Sequence, residues 1–270
     1  MEISLSRRAA IVTGGSKGIG LAVAARFAAS GADVAIVART AEPLKEAVAA
    51  IRKSTQSRVI GVQADVSKAA DVQRAYDEVM EAFDKVDIVV NNAGTSQAMP
   101  FDKVTDEILY DDLELKLFAA VRLIRLVTPQ MKERRWGRII NVLNIGAKAP
   151  RPNSMPTSIS RGAGMAMTKA LSHELAPHNV LVNAMLVGII RADQHVQRAK
   201  RTNVALEEYY KAHGKEIPLG RGVMIRMRER LFATPHFRRT WHLADIRVVP
   251  GDVPLLGVKR TCTRRFCCGA

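Results

Sequence analysis

The stretch TGGSKGIG, residues 13–20, decides the expected fold because it joins a strand-like run to a helix-like one. The apolar run RAAIVT, residues 8–13, is typical of a buried strand, and LAVAARFAAS, residues 21–30, has helical periodicity. Glycines in the order G-x-x-x-G-x-G allow a tight turn and let the backbone approach a phosphate group at the positive end of the helix. The stretch therefore predicts a dinucleotide-binding turn, with a glycine-rich turn that binds no ligand as the alternative.

Beyond this turn, apolar runs of strand length alternate with runs of helical periodicity. The predicted strands cover residues 33–38, 58–64, 86–92, 138–143 and 179–186. The predicted helices cover residues 43–54, 68–84, 106–133 and 156–171, the second of them capped by Ser67. The strands are apolar nearly throughout, which is typical of a parallel sheet covered on both faces. The pattern predicts an α/β fold, a three-layer doubly wound parallel sheet of the Rossmann type, over residues 1–220.

The composition is that of a soluble protein with one large domain. The chain has 270 residues, of which 47% are hydrophobic and 25% are charged. No apolar run approaches the roughly 18 residues of a membrane span, and the N-terminus has no signal-peptide core, which predicts a cytoplasmic protein with no membrane partner. No metal site is expected, because the three cysteines have no histidine nearby at a ligand spacing. They are Cys262, Cys267 and Cys268.

Two cations near the glycine turn indicate which dinucleotide would bind. A protein that binds NAD(H) usually carries an acidic residue at the end of its second strand, where it holds the ribose hydroxyls. Here that position is Ala38, followed by Arg39, and Lys17 lies inside the glycine turn. Two cations and no carboxylate suit a 2′-phosphate, which predicts NADP(H) as the cofactor. The alternative is that both are solvated surface cations.

Four motifs in order resemble those of the short-chain dehydrogenase/reductase family, and most closely its 3-oxoacyl-(acyl carrier protein) reductase type. They are TGGSKGIG at 13–20, ADVS at 64–67, NNAG at 91–94 and NVLVNAMLVG at 179–188. The resemblance extends over residues 5–220 and implies an NADP(H)-dependent oxidoreductase acting on a small-molecule or acyl-thioester carbonyl. It also implies a two-fold homodimer formed by the long helix and the helix that contains Gly162–Gly164.

The resemblance further implies which residues would bind the cofactor. Asp65 would bond the adenine beside Val66, residues 92–94 would form the wall next to the ribose, and Arg161 would hold ribose hydroxyls. The full expected set is Gly14, Ser16, Lys17, Gly18, Ile19, Gly20, Arg39, Asp65, Val66, Asn92, Ala93, Gly94, Arg161, Gly188 and Ile190. This chain has Val187 where the family usually has proline and Ala192 where it usually has threonine, so the nicotinamide contacts are expected to be looser.

The catalytic positions depart from the family pattern, which is a proton relay of Asn, Ser, Tyr and Lys. In this sequence the four positions hold Lys116, Asn144, Thr157 and Arg161, in that order. An aliphatic hydroxyl is a far weaker acid than a phenol, and arginine does not exchange protons in the working pH range. The usual relay is therefore absent from the sequence.

Two interpretations of this site stay open. In the first, Lys116 acts as the acid because the nearby Arg161 lowers its pKa, while Asn144 and Thr157 donate hydrogen bonds to the substrate carbonyl. In the second, the protein binds the nucleotide without turnover. Lys116 could also reach solvent, or pair with Glu114 or Asp112.

Residues 221–270 do not follow the family pattern, in which a helix and a final strand would be expected. The segment carries 11 Lys and Arg residues against 3 Asp and Glu residues, so more than half of the net charge of +15 lies there. The candidates are a basic tail for an acidic partner, a solvated amphipathic extension, and the product of a shifted reading frame. Nucleic-acid binding is disfavoured because the segment contains no recognised module. A shifted frame would leave the final strand and helix abnormal and make a tetramer doubtful.

Overall fold

The computed structural model describes residues 4–188, Ile190, Ala199 and residues 203–214. The whole of residues 221–270 lies outside this part of the chain, as does the substituted position Ala192. The expectations for the basic segment, its reading frame and the final strand and helix therefore stay predictions.

Among the described residues, six strands form one sheet in which every neighbouring pair is parallel. The strand order is β3-β2-β1-β4-β5-β6. This confirms the predicted doubly wound α/β fold. The strands are β1 (Ala9–Thr13), β2 (Asp33–Ala38), β3 (Val59–Gln63), β4 (Ile88–Asn91), β5 (Gly137–Asn144) and β6 (Val180–Val187).

Helices follow the strands and cover both faces of the sheet. They are α1 (Gly18–Ala29), α2 (Ala41–Arg52), α3 (Ala69–Phe83), α4 (Asp106–Leu113), α5 (Ala119–Glu133), α6 (Thr157–Leu175) and α7 (Leu206–Gly214). Short 3-10 turns cover Phe101–Lys103, Ile145–Ala147 and Ala176–His178. No helix of the described residues has the length and apolar character needed to cross a membrane.

Two hydrophobic clusters, one on each face, hold the layers together. Ile11 and Val12 are adjacent in β1 and point to opposite faces, because side chains alternate along a strand. Ile11 packs in the cluster that includes residues of α3 and α5, and Val12 packs in the cluster that includes residues of α1 and α2. All five residues of β1 are buried, which explains why its sequence shows a continuous apolar run.

Two local features differ from the sequence prediction. Ser67 does not cap α3, because Lys68 occupies that position without a side-chain cap, and the Ser67 hydroxyl donates instead to Asp65 Oδ1 at 2.7 Å. The expected long helix at 106–133 is interrupted by a π-helical turn at Glu114–Phe118, between α4 and α5. Such a turn widens the helix by one residue and is frequent at functional sites.

The strand order places a crevice between β1 and β4. From β1 the chain proceeds outward to β2 and β3, then returns to the other side of β1 at β4. Helix α1, which follows β1, packs on one face of the sheet, and α5, which follows β4, packs on the other. In open α/β sheets, ligands bind at this point of reversal.

Candidate functional site

The glycine turn after β1 is closed by the backbone and by one asparagine. Gly14 has a φ of +63°, a conformation that favours glycine. A Cβ on Gly20 would lie 2.4 Å from the carbonyl oxygen of Gly14 and 2.5 Å from Asn92 Nδ2, so no larger residue fits. The Asn92 side chain donates to the carbonyl oxygens of Thr13 and Gly14, each at 3.0 Å. The turn and the loop after β4 are therefore one connected unit.

Thr13 completes this unit and was not among the predicted site residues. Its hydroxyl oxygen accepts from the backbone N–H groups of Asn92 at 3.0 Å and Ala93 at 3.1 Å. The hydroxyl also lies 3.4 Å from the carbonyl oxygen of Val90, to which it donates. Thr13 is the first residue of the glycine stretch, so its position in the motif was the signal that could have identified it.

The outer side of the turn fits the pyrophosphate of a dinucleotide. Gly18 has a φ of +55°, and a Cβ placed there would meet no atom within 4 Å. Helix α1 has no acidic residue in its first turn, and its N-cap residue, Lys17, makes no side-chain cap hydrogen bond. An open surface with free N–H groups and no negative charge favours an anion at the helix N-terminus. Ser16 and Ile19 are partly buried beside it.

A cleft of about 590 Å³ lies where the adenosine end of a dinucleotide would be expected. Its lining includes Arg39 and Asp65, together with Gln63, Ala64, Lys68, Asp71, Arg74 and Glu78. Arg74 is paired with Asp71 at 3.3 Å and Glu78 at 2.6 Å. Arg39 is exposed and has no ion-pair partner among the described residues. Its charge is therefore available to an anionic group in the cleft. Val66 is buried and lines a separate small apolar cavity with Thr13 and Tyr76.

At the nicotinamide end, the described residues leave room at the end of β6. Gly188 is exposed, and a Cβ there would have no neighbour within 4 Å. Ile190 is partly buried. Gly94, in the loop after β4, lies on the other side of the crevice, where its Cβ would be 2.8 Å from Arg161 Nη2 and 3.3 Å from Lys116 Cγ. The absence of a side chain at Gly94 thus lets two cations approach the crevice.

The four residues expected at the relay positions come from different parts of the chain. Lys116 lies in the π-helical turn, Asn144 ends β5, and Thr157 begins α6, with Arg161 one turn further along. The Lys116 ammonium donates to Thr157 Oγ1 at 3.0 Å. Arg161 Nη1 donates to the Val142 carbonyl oxygen at 3.0 Å, and burial lowers the pKa of Arg161. The structure therefore joins Lys116 directly to Thr157 but not to Arg161.

Lys116 is enclosed and paired, so the alternative in which its side chain reaches solvent is wrong. Its side chain has no exposed surface, and its ammonium group bonds to the carboxylate of Asp112, itself 1% exposed. Of the two pairings that the sequence offered, the one with Asp112 is confirmed. The one with Glu114 is wrong, because Glu114 binds Arg122 at 2.6 Å. Burial lowers the pKa of Lys116 to about 8, while Asp112 acts in the opposite direction. Arg161 has the smallest effect, so crowding by that arginine is not the main cause that the sequence suggested.

Two contacts around this pair were not predicted. Ser160 Oγ donates to Asp112 Oδ2 at 2.6 Å, and the backbone N–H of Gln97 donates to Thr157 Oγ1 at 3.1 Å. The i, i+4 spacing of Asp112 and Lys116 indicated that these two could meet. Nothing in the sequence pointed to Ser160 or Gln97, because their contacts depend on how α6 and the loop after β4 pack together.

Asn144 carries an unpaired acceptor in the site. Its Oδ1 atom is buried and has no hydrogen-bond partner among the described residues. A buried oxygen without a partner is costly, so a donor from a ligand would be favoured at this point. The 3-10 turn at Ile145–Ala147 follows at once, and a Cβ on Gly146 would lie 3.1 Å from this oxygen.

The crevice, the open glycine turn and the buried polar residues at the end of β5 and the start of α6 together form a candidate dinucleotide site. A family model described as short chain dehydrogenase matches residues 8–203. The chain belongs to this family of oxidoreductases.

Relatives with known names agree with this assignment. The 3-oxoacyl-[acyl-carrier-protein] reductase of Aquifex aeolicus is 30% identical over 221 residues, which cover 82% of this chain and 86% of that protein. Dehydrogenase/reductase SDR family member 4 of Homo sapiens is 33% identical over 191 residues, covering 69% of this chain and 67% of that protein. Among solved structures, L-sorbose reductase from Gluconobacter frateurii, complexed with NADPH and L-sorbose, is 32% identical with a TM-score of 0.80. That match covers 83% of this chain and 87% of the reductase chain.

Proposed function

We propose that this protein is an NADP(H)-dependent oxidoreductase that reduces a carbonyl group, or oxidises the corresponding alcohol, by hydride transfer at a non-standard active site. The observation that carries the proposal is the contact between Lys116 and Thr157 at 3.0 Å, beside an open glycine turn. A proton donor network and a cofactor site on the same crevice are what carbonyl reduction requires. Kinship with a reductase complexed with NADPH and L-sorbose supports the same class of reaction.

The cofactor would lie across the crevice, held at three places. The open face of Gly18 and the N-terminus of α1 would bind the pyrophosphate, and Asp65 and Val66 would contact the adenine. Asn92, Ala93, Gly94 and Arg161 would border the ribose next to the nicotinamide, with Gly188 and Ile190 beyond it. When bound, NADPH supplies the hydride that a carbonyl carbon receives.

The preference for NADP(H) rests on charge. Arg39 lines the adenosine cleft without an ion-pair partner among the described residues, and the exposed Lys17 lies in the adjacent turn. A 2′-phosphate would gain a charge-assisted hydrogen bond there, whereas NAD(H) would leave both cations unused. The family itself is not decisive, since a xylitol dehydrogenase with bound NAD⁺ is also similar in fold, with 26% identity and a TM-score of 0.74.

In the substrate pocket, Lys116 would be the acid, and Thr157 and Asn144 would bind the reacting oxygen. The Asn144 amide would donate to a carbonyl oxygen, and its unpaired Oδ1 would accept from a substrate hydroxyl. The substrate class is a small-molecule or acyl-thioester carbonyl. We further propose a homodimer, because apolar side chains on the outer helices are exposed, among them Tyr110 at 64% and Phe118 at 42%. A cytoplasmic location stays part of this proposal.

A second candidate is a protein that binds the nucleotide without turnover. The observation that favours it is that Thr157, an aliphatic alcohol, stands where the family has a phenol, and that its nearest cation is neutralised by Asp112. Such a protein would keep the cofactor site intact and lose only the reaction. The two candidates make the same prediction for cofactor binding and opposite predictions for catalysis.

The test is a fluorescence titration of the purified full chain with NADPH and NADH, followed by turnover assays with ketoses, other small ketones and 3-oxoacyl thioesters. The oxidoreductase proposal requires tighter binding of NADPH and oxidation of NADPH by at least one carbonyl. Binding without any turnover favours the second candidate. Absence of binding to either nucleotide contradicts both.

A further inference from the structure

Lys116 has no direct route to a substrate. Its side chain is fully buried, and its ammonium group bonds to Asp112 and Thr157. The charged groups that act on it are Asp112 of α4 and Arg161 of α6. A proton that leaves Lys116 toward the pocket must therefore pass through the Thr157 hydroxyl.

The contacts of Thr157 set the direction in which its own proton points. Its oxygen accepts one hydrogen bond from Lys116 and a second from the backbone N–H of Gln97, at 3.0 and 3.1 Å. A hydroxyl oxygen has two lone pairs and one proton, so both acceptor positions are occupied. Among the described residues the hydroxyl donates to no acceptor. Thr157 is 6% exposed, so its proton is free to bond a substrate oxygen that reaches this small exposed surface.

Asp112 is held so that one of its oxygens serves Lys116. Its Oδ1 binds the ammonium group, and its Oδ2 accepts from Ser160 Oγ at 2.6 Å. Both Asp112 and Ser160 are 1% exposed. The carboxylate therefore cannot rotate freely, and Lys116 is fixed toward Thr157.

This inference rests on the proposed function and extends it to residues that the family pattern does not include. We propose that Asp112, fixed by Ser160, is the positioning residue of a relay in which the Thr157 hydroxyl passes a proton from Lys116 to the substrate oxygen. When the carbonyl carbon gains its hydride, the oxygen takes the proton of Thr157. The Thr157 oxygen takes a proton from the Lys116 ammonium, which becomes a neutral amine. After the product leaves, a proton from solvent returns to the amine through the same Thr157 hydroxyl. In alcohol oxidation each proton moves the other way.

The carboxylate keeps the relay supplied with a proton. Burial lowers the pKa of Lys116, and the hydrogen bond and charge of Asp112 oppose that effect. Without the carboxylate, a buried amine would be neutral at neutral pH, and Thr157 would have no proton to receive. Because the protonated lysine is the active form in reduction, the rate should fall as pH rises through the pKa of Lys116, near 8.

The first experiment compares Thr157→Ser with Thr157→Val. Serine keeps the hydroxyl, whereas valine keeps the shape and removes it. We expect measurable turnover in Thr157→Ser and a loss of at least about 100-fold in kcat in Thr157→Val, as general acid catalysis predicts. NADPH binding should be similar in both variants. Equal kcat values in the two variants would overturn the relay.

The second experiment measures the pH profile of kcat in Asp112→Asn and Ser160→Ala. The alkaline limb should move to lower pH by about one unit or more in Asp112→Asn, because the opposing charge is removed. In Ser160→Ala it should move less, in the same direction, with KM unchanged. Ser172→Ala, which removes another buried serine hydroxyl of α6, bonded to the Lys169 carbonyl oxygen, is the matched control and should not move it. If the alkaline limb of the kcat profile stays in place in Asp112→Asn, Asp112 does not position Lys116.

A third measurement does not depend on turnover. NMR titration of protein labelled with ¹³C at the lysine Cε atoms reports the pKa of Lys116 directly, and its signal is assigned by its loss in Lys116→Met. We expect a pKa near 8 in the native chain and a lower pKa in Ser160→Ala, with Asp112→Asn lower still. If the native chain shows this titration but no carbonyl is reduced, the proposed function fails while the arrangement of Lys116 stands. A Lys116 pKa that none of the substitutions changes overturns the inference itself.

Discussion

The two sides of the crevice are built in different ways. On the β1 and β4 side, a glycine turn and Asn92 are joined by hydrogen bonds to backbone groups, and the shape depends on the absence of side chains. On the side of the π-helical turn and α6, buried side chains bond to one another, and one ion pair is enclosed. Substitutions on the first side are expected to be harmful because of steric overlap, and substitutions on the second because they leave a buried charge unpaired. The predictions below are designed to separate these two sources of sensitivity.

The largest effect on stability is expected from Lys116→Met. The substitution leaves the carboxylate of Asp112 buried without its cation, which costs about 3–5 kcal/mol in the free energy of unfolding. The double variant Asp112→Leu with Lys116→Met should recover most of that loss, because two apolar side chains replace a buried pair. Urea unfolding at pH 7 measures both. A single variant as stable as the native chain would show that the pair is not enclosed.

Gly20→Ala should disrupt the other side of the crevice. Its Cβ would lie 2.4 Å from the Gly14 carbonyl oxygen, so the turn must shift and the pyrophosphate site with it. We expect NADPH affinity to fall at least about 100-fold, which corresponds to roughly 3 kcal/mol. Gly162→Ala is the control, since its Cβ meets only the Ala147 carbonyl oxygen at 4.0 Å. Fluorescence titration with NADPH measures both affinities. Equal affinities in the two variants would contradict a steric role of Gly20.

Thr13→Val tests the link between the turn and the loop after β4. The backbone N–H groups of Asn92 and Ala93 would lose their shared acceptor. Leaving buried donors unpaired costs about 1–3 kcal/mol, whereas Thr13→Ser keeps the hydroxyl and should cost less. Thermal unfolding with and without NADPH measures this difference. Equal unfolding temperatures for Thr13→Val and Thr13→Ser would mean that the Thr13 hydroxyl adds nothing to stability.

Arg39→Glu should have the smallest effect on the fold and a selective effect on the cofactor. Arg39 is exposed, so its replacement leaves the core unchanged. A negative charge in the adenosine cleft would repel a 2′-phosphate, and we expect the preference for NADPH over NADH to fall by about tenfold or more. Lys53→Glu, at the exposed C-cap of α2, makes the same change of charge and is a control for a general charge effect. A preference that changes equally in both variants would contradict a local contact of Arg39.

Several features could be predicted because they are local in the chain. The glycine turn, the alternation of strands and helices and the NNAG stretch each lie within a few consecutive residues. Their patterns are fixed by backbone sterics and by burial on two faces. The prediction that Ser67 caps α3 was wrong for an equally local reason. The Ser67 hydroxyl donates to the carboxylate of Asp65, two residues earlier in the chain.

The sequence by itself determined the doubly wound sheet, the glycine turn and which residues stand at the four positions of the expected relay. Only the tertiary structure decided what those residues do to one another. Lys116 and Thr157 are 41 positions apart and meet because α6 packs against the π-helical turn. Ser160 and Asp112 meet for the same reason. The pKa of Lys116 follows from that packing, since burial is a property of the assembled layers and not of any stretch of sequence.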